Sequence, residues 1–159
     1  MSRLRSPGLA LALVLAAAPA AADVTAFLGA NTTPENRQTQ GFAVGAGLLL
    51  LGFEFEYANT PDDLKSAAPS LKSYMGNVLL QTPFAILGVQ PYVTTGGGVY
   101  RERLGEQGKT GFALNTGAGL KINLIGPLRM RVDYRAFKLG SGALYSPAHR
   151  VYAGLNLKF

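Results

Sequence analysis

Arg129, Arg131, Asp133 and Arg135 occupy every second position of the stretch Leu128–Phe137, with Leu128, Met130, Val132 and Tyr134 between them. Glu54 and Glu56 alternate in the same way with Phe53, Phe55 and Tyr57. Lys121 and Lys158 fall on the polar phase of two further segments. A two-residue period puts each segment's charges on one face of an extended chain. If that face is enclosed, groups of opposite sign must pair or change protonation, because isolated charges are costly away from water. Two kinds of chemistry follow: an ionic plug that fills an interior, or a polar pathway for a small solute or ion. Basic groups outnumber acidic ones in this set, so such a pathway would favour anions.

Other reactive residue types are sparse. His149 is the single histidine and there is no cysteine, a poor inventory for a metal site. Ser146 and Ser141 lie near His149, but a Ser–His pair needs a third group to orient the imidazole. Asp133 or Glu102 would supply it only through folding. Gly96-Gly97-Gly98 follows a strand-like PYVTT with no lysine or helix signal after it. It reads as a bend or a close approach of strands rather than a phosphate loop. No pattern requires a cofactor. The net charge of +6 is scattered, with no basic stripe, which argues against a nucleic-acid partner.

Strands must hold these residues. Eight segments of alternating character run along the chain, separated by turn signals. They are Asp23–Ala30, Gly41–Leu50, Gly52–Ala58, about Leu71–Thr82, about Gln90–Arg103, Thr110–Asn123, Leu128–Phe137 and the closing RVYAGLNLKF. The links NTTPENRQTQ, NTPDDLKSAAPS, LGEQGK and KLGSGALYSPAH are polar. The links at Leu51-Gly52, TPFAILGVQ and LIGP are tighter or more apolar. An up-and-down meander with two unlike ends produces that alternation. The seven tyrosines are not ordered along the segments, though some fit an interfacial girdle.

The chain opens on the basic MSRLR, continues with the apolar run Leu9–Ala18, and breaks at Pro19 before Ala20-Ala21-Ala22. That is the layout of a cleaved secretory signal peptide. The run is well short of the ~20 residues that a spanning helix needs. The expected division is residues 1–22 as signal peptide and 23–159 as one domain. Loss of Arg3 and Arg5 lowers the net charge to +4.

The polar phase carries Gly45, Gly47, Gly117, Gly119 and Gly154 beside its charges. Glycine facing bulk water weakens a strand without a packing gain. Glycine inside a narrow barrel makes room for long neighbours, and eight strands enclose just enough space for side chains. A soluble lipocalin-like barrel would instead put its apolar phase inside. The expectation is an all-β, eight-stranded antiparallel up-and-down transmembrane β-barrel, with apolar side chains toward lipid. Its lumen would hold an ionic cluster of Glu54, Glu56, Lys121, Arg129, Arg131, Asp133, Arg135 and Lys158.

The last strand carries Val151, Ala153, Leu155, Leu157 and Phe159 on one phase. With the alternating loops and the leader, this resembles the small outer-membrane β-barrel family, of the OmpA-transmembrane-domain and OmpX-like kind. The resemblance implies an outer-membrane location in a Gram-negative-type cell and contact with outer-membrane lipid and lipopolysaccharide. It also implies that these five residues form the signal read by the barrel assembly machinery. Arg37, Lys65, Lys109 and Lys138 are candidates for contact with lipopolysaccharide phosphates. No further domain is expected, so the resemblance does not extend to the peptidoglycan-binding part of OmpA. The implied role is a non-enzymatic scaffold displaying four loops outward. A small pore is the first alternative, and a lipid A-modifying enzyme, which the family includes, is the second.

Overall fold

The computed structural model describes residues 21–159, so residues 1–20 of the expected signal peptide lie outside the described residues. The rest forms eight strands: β1 (Ala21–Asn31), β2 (Arg37–Leu48), β3 (Leu51–Thr60), β4 (Ser70–Gln81), β5 (Val89–Leu104), β6 (Gln107–Ile125), β7 (Leu128–Leu139) and β8 (Ala148–Lys158). Each pairs antiparallel with the next, and β8 closes on β1 through pairs from Asp23↔Lys158 to Asn31↔Arg150. Closure leaves no free sheet edge along the paired ladder.

The two phases face opposite environments. Arg131 is fully buried, whereas Phe55 is 48% and Phe53 56% exposed on the outer wall. Leu28, Val44, Leu80, Leu114 and Leu155 are exposed there too. Soluble monomers rarely show apolar surface this continuous. The alternation therefore has its apolar side outside. Phe42, Tyr57 and Tyr74 line up side by side on the outer wall across β2, β3 and β4, two residues along β3 from Phe55. Their ring centroids are 5.7 and 5.0 Å apart.

The two ends of the barrel differ. At the end carrying both described chain ends, the strands are joined by Leu49-Leu50, residues 82–88 and residues 126–127. At the other end the links are 32–36, 61–69, 105–106 and 140–147. Two expected loops are shorter than the sequence implies. β2 begins at Arg37, inside the stretch read as a polar link. LGEQGK contributes only Gly105-Glu106 to a turn, because Leu104 pairs with Gln107. β5 and β6 thus project as a hairpin beyond β7, whose pairing with β6 stops at Ala113↔Leu139.

The glycine triplet is a close approach, not a loop. A Cβ at Gly96 would collide with the Gly76 carbonyl and the Asn77 amide, and one at Gly98 with the Tyr74 carbonyl. Regular pairing runs straight through it, Gly76 opposite Gly97.

Candidate functional site

The lumen is filled in three tiers. At the end of the longer links, Met75, Tyr100, Ala113, Phe137, Leu139 and Ala148 pack as a buried apolar cluster. Below it lies an ionic tier. Arg131 meets Glu54 through both Nη atoms, donates from Nη2 to Asp133 Oδ2 at 3.3 Å, and donates from Nε to Tyr92 Oη at 2.7 Å. Arg135 donates from Nε to Asp133 Oδ1 at 2.9 Å and from Nη2 to Glu54 Oε1 at 2.9 Å. Its Nη1 lies 3.1 Å from Glu56 Oε2, within ion-pairing reach but without a hydrogen-bond alignment. Arg150 pairs with Glu56, and Tyr92 donates to Asp133. Asn115 donates to Asn77 at 2.7 Å, and Asn77 donates to Glu54 at 3.4 Å.

Three arginines therefore meet three carboxylates, and their charges balance. All six side chains are almost completely buried. Aromatic rings seal the gaps. The Arg131 guanidinium lies 4.9 Å from the Tyr92 ring centre, and that of Arg150 lies 4.7 Å from Phe137. Phe27 stacks on Tyr152 at 4.0 Å. Such a tier is held together by mutual compensation more than by net gain, since desolvation offsets much of the Coulomb attraction.

The third tier lies at the end of the short connections. Lys121 Nζ is 2.6 Å and Arg129 Nη2 is 3.2 Å from the same oxygen, Asp23 Oδ2. Arg129 is further held by Asn156 at 2.8 Å and Gln90 at 3.1 Å.

Of the eight charges expected in the lumen, seven are buried there. Lys158 is corrected: it stands exposed at the mouth, since β8 ends with it, and no ion pair involves it among the described residues. Two interior charges escaped the sequence reading, Asp23 and Arg150. Asp23 sits against the expected cleavage point, and Arg150 continues the inward phase of Tyr152 and Asn156. Tyr92 reads only as a wall residue although its phase matches that of the charges, whereas Tyr152 falls on the polar phase of the last strand with Gly154, Asn156 and Lys158. Arg37 is also corrected. Its guanidinium is buried and binds the carbonyls of Pro61, Pro69 and Thr33, so it braces two links and does not face lipid. Lys65, Lys109 and Lys138 are exposed.

Val151, Ala153, Leu155, Leu157 and Phe159 all lie exposed on the outer side of the last strand and just beyond it. The Phe159 N–H donates to the Ala22 carbonyl at 2.8 Å. His149 bonds through Nδ1 to the Tyr134 hydroxyl at 2.8 Å. The Ser146 hydroxyl is bound to the backbone of Leu139. The two residues of the suspected Ser–His pair therefore serve different partners.

Inward glycines are the counterpart of the large groups. A Cβ at Gly119 would run into the Tyr92 hydroxyl and the Val132 carbonyl, and one at Gly117 into the Arg135 stem. Gly119→Ala is expected to cost about 1–3 kcal/mol, as overpacking of a filled interior does. The shift in urea midpoint of the lipid-reconstituted barrel measures it.

No family model and no curated protein sequence matches the chain. Solved structures do. The N-terminal β-barrel domain of Pseudomonas aeruginosa OprF aligns with a TM-score of 0.66 at 18% identity, covering 87% of this chain and 97% of that one. Neisserial surface protein A aligns at 0.64 and 17% identity, covering 88% and 96%. The outer membrane enzyme PagL aligns at 0.50 and 18% identity, covering 86% and 98%. The fold thus hosts catalysis in at least one neighbour, and function rests on the site, not the fold. By its architecture, this chain is one of the small eight-stranded antiparallel barrels exemplified by these proteins.

Proposed function

We propose that this chain is a closed barrel spanning an outer membrane, exported by a leader in residues 1–22, with a structural or surface-interaction role. The exposed apolar wall supports the membrane reading, since a closed barrel satisfies its backbone hydrogen bonds internally and leaves only side chains for the acyl phase. On this reading the links 32–36, 61–69, 105–106 and 140–147 face outward, and the C-terminal phase from Val151 to Phe159 serves as the assembly signal.

The observation that carries closure is the filled lumen, an apolar cluster above a charge-balanced network of Glu54, Glu56, Asp133, Arg131, Arg135 and Arg150. An eight-stranded barrel leaves an interior just wide enough for side chains, so a lumen filled in this way supports a closed barrel. In a planar bilayer the purified barrel is expected to give no sustained single-channel steps. Its folding is checked by a gel mobility that changes on boiling. Stable steps from heat-modifiable protein would replace this reading with a pore.

A further inference from the structure

We propose that the lumen's mouth at the short-connection end is an anion-binding vestibule for a small phosphate-type oxyanion. The mouth opens a cavity of about 380 Å³, room for roughly a dozen waters at liquid density. Lys121, Arg129 and Lys158 line it. They come from three consecutive strands, β6, β7 and β8, so one wall of the cavity is cationic. The facing wall carries Gly45, Gly47 and Gly52 together with the amide of Gln81. A Cβ at Gly45 would stand 3.1 Å from Asp23 Oδ1, and one at Gly47 would stand 2.9 Å from Gln81 Nε2. The glycines therefore keep the space open in front of the cations.

Charge distribution gives the site its sign. The ionic tier above is neutral, with three cations against three anions. Among the side chains that line the vestibule, three are cationic, Lys121, Arg129 and Lys158, and two are carboxylates, Asp23 and Glu54. Two of those cations converge on a single oxygen, Asp23 Oδ2, and the third, Lys158, lies opposite Asp23 in the β1–β8 register. Glu54 also borders the cavity, but both of its oxygens are engaged by Arg131 and Arg135. About half of the surplus positive charge of the described residues thus lies where the lumen widens. Low-dielectric walls focus that field into the opening. An oxyanion would receive donors from Lys158 and Gln81, and would supply the counter-charge that Asp23 alone does not give Lys121 and Arg129. Free phosphate and a phospholipid headgroup share this chemistry.

The test is calorimetric titration at low salt with inorganic phosphate and pyrophosphate. One arm uses barrel in maltoside micelles, which carry no phosphate; the other uses barrel in phosphatidylglycerol nanodiscs. Saturable one-site binding in both arms supports a free anion as occupant. Binding in micelles that vanishes in discs supports the site with the lipid headgroup as its occupant. Lys158 is exposed and makes no ion pair among the described residues, so Lys158→Gln should fold normally and weaken binding about two- to fivefold, the scale of a single exposed ion pair. Adding Gln81→Glu, which puts a carboxylate on the glycine side, should deepen the loss beyond tenfold. Absence of saturable binding in micelles overturns the proposal, and so does a heat-modifiable Lys158→Gln/Gln81→Glu barrel that binds phosphate as the parent does.

Discussion

Replacing Arg131 with methionine is expected to destabilise the barrel by about 3–5 kcal/mol and to make it leak ions. Arg131 is fully buried and compensates Glu54 and Asp133 while supporting the Tyr92 hydroxyl. Methionine of similar reach would fill much of the space but leave three carboxylates facing two arginines. An uncompensated buried carboxylate must draw in water or a proton, and either loosens the tier that closes the lumen. A urea series followed by gel mobility in lipid vesicles measures the stability, and planar-bilayer recording measures the leak. The double variant Glu54→Gln/Arg131→Met removes one charge of each sign and restores the balance. It should be more stable than the sum of the single changes implies, with a coupling of about 0.5–3 kcal/mol. A loss below about 1 kcal/mol for Arg131→Met, with a silent bilayer trace, would show that the apolar cluster around Phe137 closes the lumen without help from the ions.

The contrast between these two tiers explains which features could be read from the sequence. Strand phase is local. Arg131 and Val132 differ in environment because they are neighbours on one strand, and the sequence carries that difference directly. Pairing partners are not local. Whether Glu54 meets Arg131, Arg135 or Lys121 depends on how far each strand is staggered around the barrel, and stagger comes from closure. Phe27, Phe137 and Tyr152 show a second limit. They share the inward phase with the charges, but their chemistry matches the outer wall. Only the register reveals that they form the sealing rings beside Arg150. Loop lengths misled for a related reason. The polar stretch after Asn31 looks like a link, yet Arg37, Gln38 and Thr39 pair with β1, because backbone pairing in a ladder does not require an apolar side chain. Lys158 failed at an end: its phase is correct, but no wall continues past it.

Phe55→Arg gives the sharpest test of which side of the wall meets lipid. Phe55 lies mid-strand on β3, opposite Val44 and Gly76, with its ring about half exposed on the outer wall. A guanidinium there would sit near the middle of the apolar band, where lipid-facing arginine costs about 2–4 kcal/mol in barrels of this kind. Leu51→Arg lies at the short-connection end of the same strand, where the side chain can reach the interface, and should cost only about 0–1 kcal/mol. This depth dependence discriminates between environments. In water an exposed phenyl ring on a strand contributes little, so Phe55→Arg in a soluble barrel would be neutral or would improve solubility. The two variants would then unfold alike. Urea midpoints in vesicles that fall steeply for Phe55→Arg and barely for Leu51→Arg are the expected result. Equal midpoints would mean that the outer wall never meets acyl chains, and the membrane reading would fall with it.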